Sequence, residues 1–214
     1  AGRPETERVD ALEIVGSQIP LLHAHARATR DPGLVALLAD GRIDVRVTDG
    51  RTHLMRSRER YDVIEADALR PTSAYAGNLY SREYFDLLRR RLAPGGLAVT
   101  WSPTPRVRAT FLSVFPQVVA VGDTLLGSEA PIAFDPDAIR ERLRHPAFQA
   151  HFARAGVDIS ALVETELSER PVEVFGPEAP RSTGAALNTD LFPRDEYVAS
   201  ERFWPSFARG AAPE

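Results

Sequence analysis

The stretch RYDVIEADALRPTSAYAGNL, Arg60 to Leu79, decides the fold. Tyr61, Val63, Ile64 and Ala66 form an apolar run of strand length. Asp67 then opens a polar, Pro-containing loop that leads to a helix from about Ser81. In an open α/β sheet, ligands sit at the carboxyl ends of the strands, so Asp67 stands where chemistry is expected. Asp67 would serve equally well as a turn or helix cap, a common use of Asp in loops.

Working outward, two earlier strands repeat the pattern. Arg8 to Ile14 (RVDALEI) alternates as a strand that ends near Glu13, and Ser17 to Ala28 follows as a helix with Pro20 in its first turn. After a second helical piece over Asp31 to Leu38, Ile43 to Val47 alternates as a strand that ends on Asp49 and Gly50, and a short helix follows around Thr52 to Met55. Downstream, Ser81 to Leu92 reads as a capped amphipathic helix, broken by Ala93-Pro94-Gly95-Gly96. Leu97 to Trp101 is the next strand and Pro105 to Phe115 a further helix. Gln117 to Val121 and Ala130 to Phe134 are expected as an antiparallel hairpin joined through Gly122 to Gly127. Asp135 to Ala155 reads as helix, and residues 156–214, rich in Pro, Gly and charge, as a tail with only short helical candidates.

This alternation predicts an α/β protein: a Rossmann-like, mostly parallel sheet with a terminal antiparallel hairpin over residues 1–134, and a helical and irregular extension over 135–214 packed on it. Three strand ends carry acids. Glu13, at the end of what would be the second strand of a Rossmann-like unit whose first strand is expected upstream, suits bidentate hydrogen bonding to ribose hydroxyls. Asp49 suits an adenine amino group, and Asp67 completes the row.

Composition narrows the partners. At 214 residues, 43% hydrophobic and 26% charged, the chain is an ordinary globular one with a net charge of −4. Its 26 basic residues are all Arg, dispersed among acids, so no nucleic-acid partner is indicated. Cys is absent and the five His are scattered, which points to no metal site. No apolar run approaches the roughly 18 residues of a membrane span, so a cytoplasmic setting is expected for this segment.

The chain resembles the spermidine synthase family, aminopropyltransferases built on the class I methyltransferase fold. The resemblance rests on VDALEI ending at Ile14, TDG at Thr48 to Gly50, YDVIEAD ending at Asp67, and LYSREYFDLLRRRLAPGG from Leu79 to Gly96. LNTDLFPRDEY, Leu187 to Tyr197, looks like the closing segment of bacterial spermidine synthase-like proteins, some with membrane segments upstream. The resemblance implies that Glu13 holds the ribose of decarboxylated S-adenosylmethionine or S-adenosylmethionine, that Asp49 and the Gly50 backbone contact adenine, and that Asp67 is the catalytic carboxylate acting on a small-molecule amine acceptor. It also implies a segment of a longer protein, with the family's glycine-rich loop upstream of residue 1, a possible homodimer and a possible upstream membrane domain.

Two departures bear on the acceptor. Where the family has D-S-S-D-P after the catalytic Asp, this chain has D-A-L-R-P, placing Arg70 where a second Asp would bind a diamine. Trp101 stands where the family commonly has Gln. Arg70 would repel putrescine; it would either pair with Glu65 or Asp67 or bind an anionic acceptor such as a carboxylate. Tyr75 and Tyr80 are expected either to line the acceptor pocket or to pack, and Arg89-Arg90-Arg91 either to bind phosphate or to complement a helix dipole. Phe148, Phe152 and Phe203-Trp204 are expected as core or tail anchors. A small-molecule methyltransferase and a non-catalytic module of a larger membrane protein are the alternative readings of the same fold.

Overall fold

A computed structural model describes residues 5–66, 70, 73 and 75–197. In chain order the elements are β1 (Val9–Glu13), α1 (Gln18–Thr29), α2 (Pro32–Leu38), β2 (Ile43–Val47), α3 (Gly50–Arg56), β3 (Tyr61–Ala66), α4 (Arg82–Arg91), β4 (Leu92–Trp101), α5 (Pro105–Leu112), β5 (Gln117–Val121), β6 (Thr124–Ser128), α6 (Pro136–Leu143), α7 (Pro146–Ala153), α8 (Ile159–Glu169) and β7 (Val172–Phe175). A 3-10 turn at Ala76–Leu79 precedes α4, and another at Arg194–Tyr197 ends the described chain. The fold is the expected mixed α/β one, with parallel strands leading into an antiparallel hairpin. Two compact units share it, Ala1–Ser57 with Ala133–Arg170 and Arg58–Ile132 with Pro171–Glu214.

In the first unit β1 and β2 pair in parallel, with Glu13 opposite Val47. Their amino ends are tied by one residue. Arg42 donates to the Asp40 carboxylate at 2.9 and 2.6 Å and to the Thr6 carbonyl at 2.8 Å, while its own carbonyl accepts from the Val9 amide at 2.9 Å. Those bonds from Arg42 lower the Asp40 pKa to about 2, so the tie stays ionised near neutral pH. Few side chains of this unit are buried, Ala26 and Leu54 among them.

The second unit holds most of the core. Its sheet runs β3-β4-β6-β5-β7, with β3 and β4 parallel and the other pairs antiparallel. Ser81 caps α4 by accepting from the Tyr84 amide at 3.1 Å. The helix then buries Tyr84, Phe85, Leu87 and Leu88, one apolar stripe at helical spacing. Its three terminal arginines lie in the last turn, where cations complement the helix dipole. The Pro-Gly-Gly that follows is geometry the chain requires. Gly95 has φ +75°, and a Cβ on Gly96 would lie 2.9 Å from the Tyr61 carbonyl oxygen, at the irregularity where β4 first meets β3. Gly127 has a packing reason instead. A Cβ there would come within 2.5 Å of Phe115 and 2.7 Å of Phe111, both fully buried rings stacked 4.5 Å apart.

Four expectations are corrected. The second hairpin strand is Thr124–Ser128, not Ala130 to Phe134, because Gly122 at φ +56° makes a two-residue turn and Val121 pairs at once with Thr124. The helix expected over Asp135 to Ala155 is two helices. Pro146 has no amide to continue α6, and the His145 side chain caps a new one by accepting from the Ala147 amide at 3.2 Å. The stretch beyond residue 156 contains an 11-residue helix, α8, capped by Asp158, and a fifth strand, β7, on the edge of the second sheet. Phe148 and Phe152 are half-buried, not core residues, and Phe203-Trp204 fall outside the described residues.

A buried carboxylate ties the closing segment to this second unit. Asp195, 6% exposed, accepts from the Thr104 hydroxyl at 2.7 Å, the Asn188 side-chain amide at 2.8 Å and the Arg106 guanidinium at 3.1 Å. Thr104 in turn caps α5 by accepting from the Val107 amide at 3.0 Å, and the Asn188 backbone is bonded to the Thr110 hydroxyl and to the Arg82 amide, both at 2.9 Å.

Two substitutions test this packing. Gly127→Ala should lower unfolding free energy by about 1–3 kcal/mol through overpacking against the Phe pair. Asp195→Asn should cost about 2–3 kcal/mol, since the amide replaces an anion facing three donors. Both are read from urea unfolding of the purified protein; loss below 0.5 kcal/mol in either would remove the packing role given to that residue.

Candidate active site

The residues expected to bind a donor, Glu13, Asp49 and Gly50, stand at or just beyond the carboxyl ends of β1 and β2 in the first unit. β1 stops because Glu13 turns the chain: its carboxylate accepts from the Val15 amide at 2.7 Å. The Glu13 carbonyl accepts from the Thr48 amide at 3.0 Å, which carries the parallel ladder to the edge where Asp49 begins. The Asp49 carboxylate accepts from the Thr52 amide at 2.6 Å and so caps α3. A Cβ on Gly50 would make only an ordinary contact, with Leu12 Cδ1 at 4.0 Å. Glu13 and Asp49 are both half-buried, and a carboxylate with one backbone donor keeps further acceptor capacity. Ile14 and Val47 beside them are 68% and 58% exposed. Two anionic acceptors next to aliphatic surface can take hydroxyl or amino donors from a ligand whose face is apolar.

The residues expected on an acceptor side belong to the second unit. Asp67, the expected catalytic carboxylate, lies outside the described residues, directly after the end of β3. Arg70 is exposed, and its carbonyl accepts from the Ser73 amide at 2.8 Å. Tyr80 is 1% exposed, an aromatic used for packing in the core of the second unit. Trp101 is the last residue of β4, half-buried and paired with Thr124. Tyr75 stands on the loop in the left-handed region, φ +67°, with its ring 80% exposed.

Sequence reasoning missed the residues that fix this loop. Glu196 accepts from the Gly77 amide at 2.6 Å, and Glu83 from the Asp190 amide at 3.0 Å, so the closing segment reaches the connection after β3 as well as the one after β4. The only signal was the closing phrase itself; nothing in its spacing names Gly77 as a partner.

A cleft of about 500 Å³ lies at the other end of these strands, lined by Arg60, Arg89, Arg90, Arg91, Gly95 and Gly96. Arg89 is bonded there to Asp86 at 2.9 Å and Glu129 at 2.6 Å, and Arg90 to Asp86, an ion-paired helix end remote in the sheet from the carboxyl ends. Among the described residues there is no group of three or more His, Cys, Asp or Glu that could hold a metal, and no helix long and apolar enough to cross a membrane.

Residues 14–114 match the model of the spermine/spermidine synthase domain. Similar curated proteins include polyamine aminopropyltransferase 1 of Streptomyces coelicolor, 43% identical over 68 residues, 32% of this chain and 13% of that protein. Polyamine aminopropyltransferase of Shouchella clausii is 28% identical over 102 residues, 48% of this chain and 35% of that protein. Polyamine aminopropyltransferase 2 of Streptomyces coelicolor is 37% identical over 125 residues, 56% of this chain and 22% of that protein. The chain thus spans 35% or less of the length of these three relatives. Among solved structures, a spermidine synthase in complex with the transition state analogue AdoDATO superimposes with a TM-score of 0.52 at 19% identity, over 76% of this chain and 62% of that one. The Pro-Gly-Gly turn and these likenesses agree: residues 14–114 are similar to the spermine/spermidine synthase domain, and the fold is like that of a spermidine synthase.

Proposed function

We propose that the protein transfers an aminopropyl group from a decarboxylated S-adenosylmethionine-type donor to a small-molecule amine. The observation that supports this most is the pair of half-buried carboxylates, Glu13 and Asp49, at the ends of adjacent parallel strands beside exposed aliphatic side chains. Glu13 would accept from the ribose hydroxyls and Asp49 from the adenine amino group, with the base lying beside the Gly50 backbone. The acceptor nitrogen attacks the methylene carbon next to the sulfonium. The carbon–sulfur bond breaks, its electron pair stays on sulfur, and methylthioadenosine leaves as a neutral thioether. Only a neutral amine has the lone pair for this attack. Asp67, following β3, would hold the acceptor as a cation, take its proton and release it to water after transfer.

Arg70 shapes the acceptor side of this proposal. An arginine on the loop after Asp67 disfavours a dicationic diamine and favours an amine that also bears a carboxylate. Trp101 at the end of β4 offers a flat surface for the acceptor's carbon chain.

In the full-length protein, titration calorimetry should show methylthioadenosine binding that Glu13→Ala weakens by roughly tenfold to a hundredfold. Equal affinity in wild type and variant would remove Glu13 from the donor site. Asp67→Asn should lower turnover of decarboxylated S-adenosylmethionine by at least about a hundredfold without shifting the unfolding midpoint; retained turnover would end the assignment of Asp67 as the catalytic carboxylate.

A further inference from the structure

We propose that Asp195 and Glu196, consecutive residues of the closing segment, position the two loops that leave the carboxyl ends of β3 and β4, and that Glu196 thereby sets acceptor affinity. The functional half of this inference rests on the aminopropyl-transfer reading; the positioning half rests on bonds within the second unit.

The turn that precedes α4 includes a strained position. Tyr75 stands at φ +67°, a conformation unfavourable for any residue with a Cβ and rare for a bulky one. Local bonds close the turn around it: Ala76 donates to the Ser73 carbonyl at 3.0 Å, Asn78 to Tyr75 at 3.2 Å and Tyr80 to Gly77 at 3.1 Å. The amide in the middle of the turn, Gly77, is bonded to Glu196, which lies 119 positions later. This bond is charge-assisted and short, 2.6 Å, at a buried glycine. Glycine is also the residue the approach demands, because a Cβ on Gly77 would lie 2.2 Å from Pro193 Cβ and 2.7 Å from Glu196 Oε1. Tail and turn are therefore fitted to each other.

Glu196 can hold the turn only because its neighbour is itself fixed. Asp195 binds Thr104, the cap of α5 on the connection from β4, and Arg106 in the first turn of that helix, at 2.7 and 3.1 Å. One residue of the segment thus grips the loop after β4 and the next grips the loop after β3. Their separation is set by a single peptide unit, which leaves little slack between the loop of Tyr75 and the loop that follows Trp101. An acceptor held by groups on both loops would feel any loosening as lost affinity, whereas a nucleoside held by Glu13 and Asp49 would not.

The test compares wild type, Glu196→Ala and Glu196→Gln as full-length protein, by amide hydrogen exchange and by steady-state kinetics with putrescine and with 2,5-diaminopentanoate as acceptors. In Glu196→Ala, exchange in the segment 75–80 should rise roughly tenfold while α4 and α5 keep their protection. Acceptor KM should rise roughly tenfold with donor KM unchanged, and Glu196→Gln, which keeps an acceptor oxygen, should recover part of both changes. Unchanged exchange at 75–80 overturns the proposal. So does exchange that rises equally throughout α4 and α5, or an acceptor KM that moves only together with donor KM, since either marks general loosening. If wild type turns over neither acceptor, the transfer reading fails, and exchange at 75–80 alone decides whether Glu196 positions the turn.

Discussion

Asp195 is the anion on which the second unit depends. A buried carboxylate is costly unless donors surround it, and here a hydroxyl, a carboxamide and a guanidinium do so. Each donor belongs to a different structural task. Thr104 is the cap of α5, Arg106 lies in the first turn of that helix, and Asn188 bonds through its backbone to α4 and α5 residues. Satisfying one charge therefore fixes a helix start, the seam between two helices and the course of the closing segment at once.

Packing in the sheet obeys a different constraint, set by glycines. Gly96 lets β4 run close under the carbonyls of β3, and Gly127 leaves the hollow into which Phe111 and Phe115 stack. Phe85 meets Phe111 edge-on at 5.0 Å and extends the cluster to α4. The first unit has no equivalent. Its parallel strands are aligned by the Asp40–Arg42 tie at one end, and at the other the aliphatic side chains of Ile14, Val15 and Val47 face outward. A surface of that kind suits a ligand with an apolar face, and the two acids beside it supply direction.

Much of this was legible in the sequence, because period and punctuation are local signals. The strands ending at Glu13, near Asp49 and before Asp67 announced themselves by alternation followed by an acid, and α4 by its Ser cap and apolar stripe. Errors arose where a distant or subtle partner decides. The two-residue turn at Gly122 displaced the second hairpin strand by several residues, and Pro146 divided a helix whose composition reads as continuous. β7 has only four residues, and its neighbour β5 is more than fifty positions earlier, so no window of sequence contains the reason it is a strand. Glu196 and Gly77 were unreadable for the same reason: a carboxylate in a charged segment looks like solvent-facing surface until the amide it binds is brought to it.

The interleaving of the two units has a consequence for synthesis. The first unit opens the chain and resumes at α6 through α8, while the second begins between these parts and is finished by β7 and the closing segment. A chain leaving the ribosome amino end first thus starts both units before it can complete either. Until Val172–Phe175 arrives, the β5 edge with its Val118, Val119 and Ala120 has no outer neighbour, and Thr104 and Gly77 wait for Asp195 and Glu196 to emerge. Late, long-range closure of this kind slows folding and prolongs the exposure of an apolar strand edge. Such a nascent chain needs protection for its middle third until its final stretch is made.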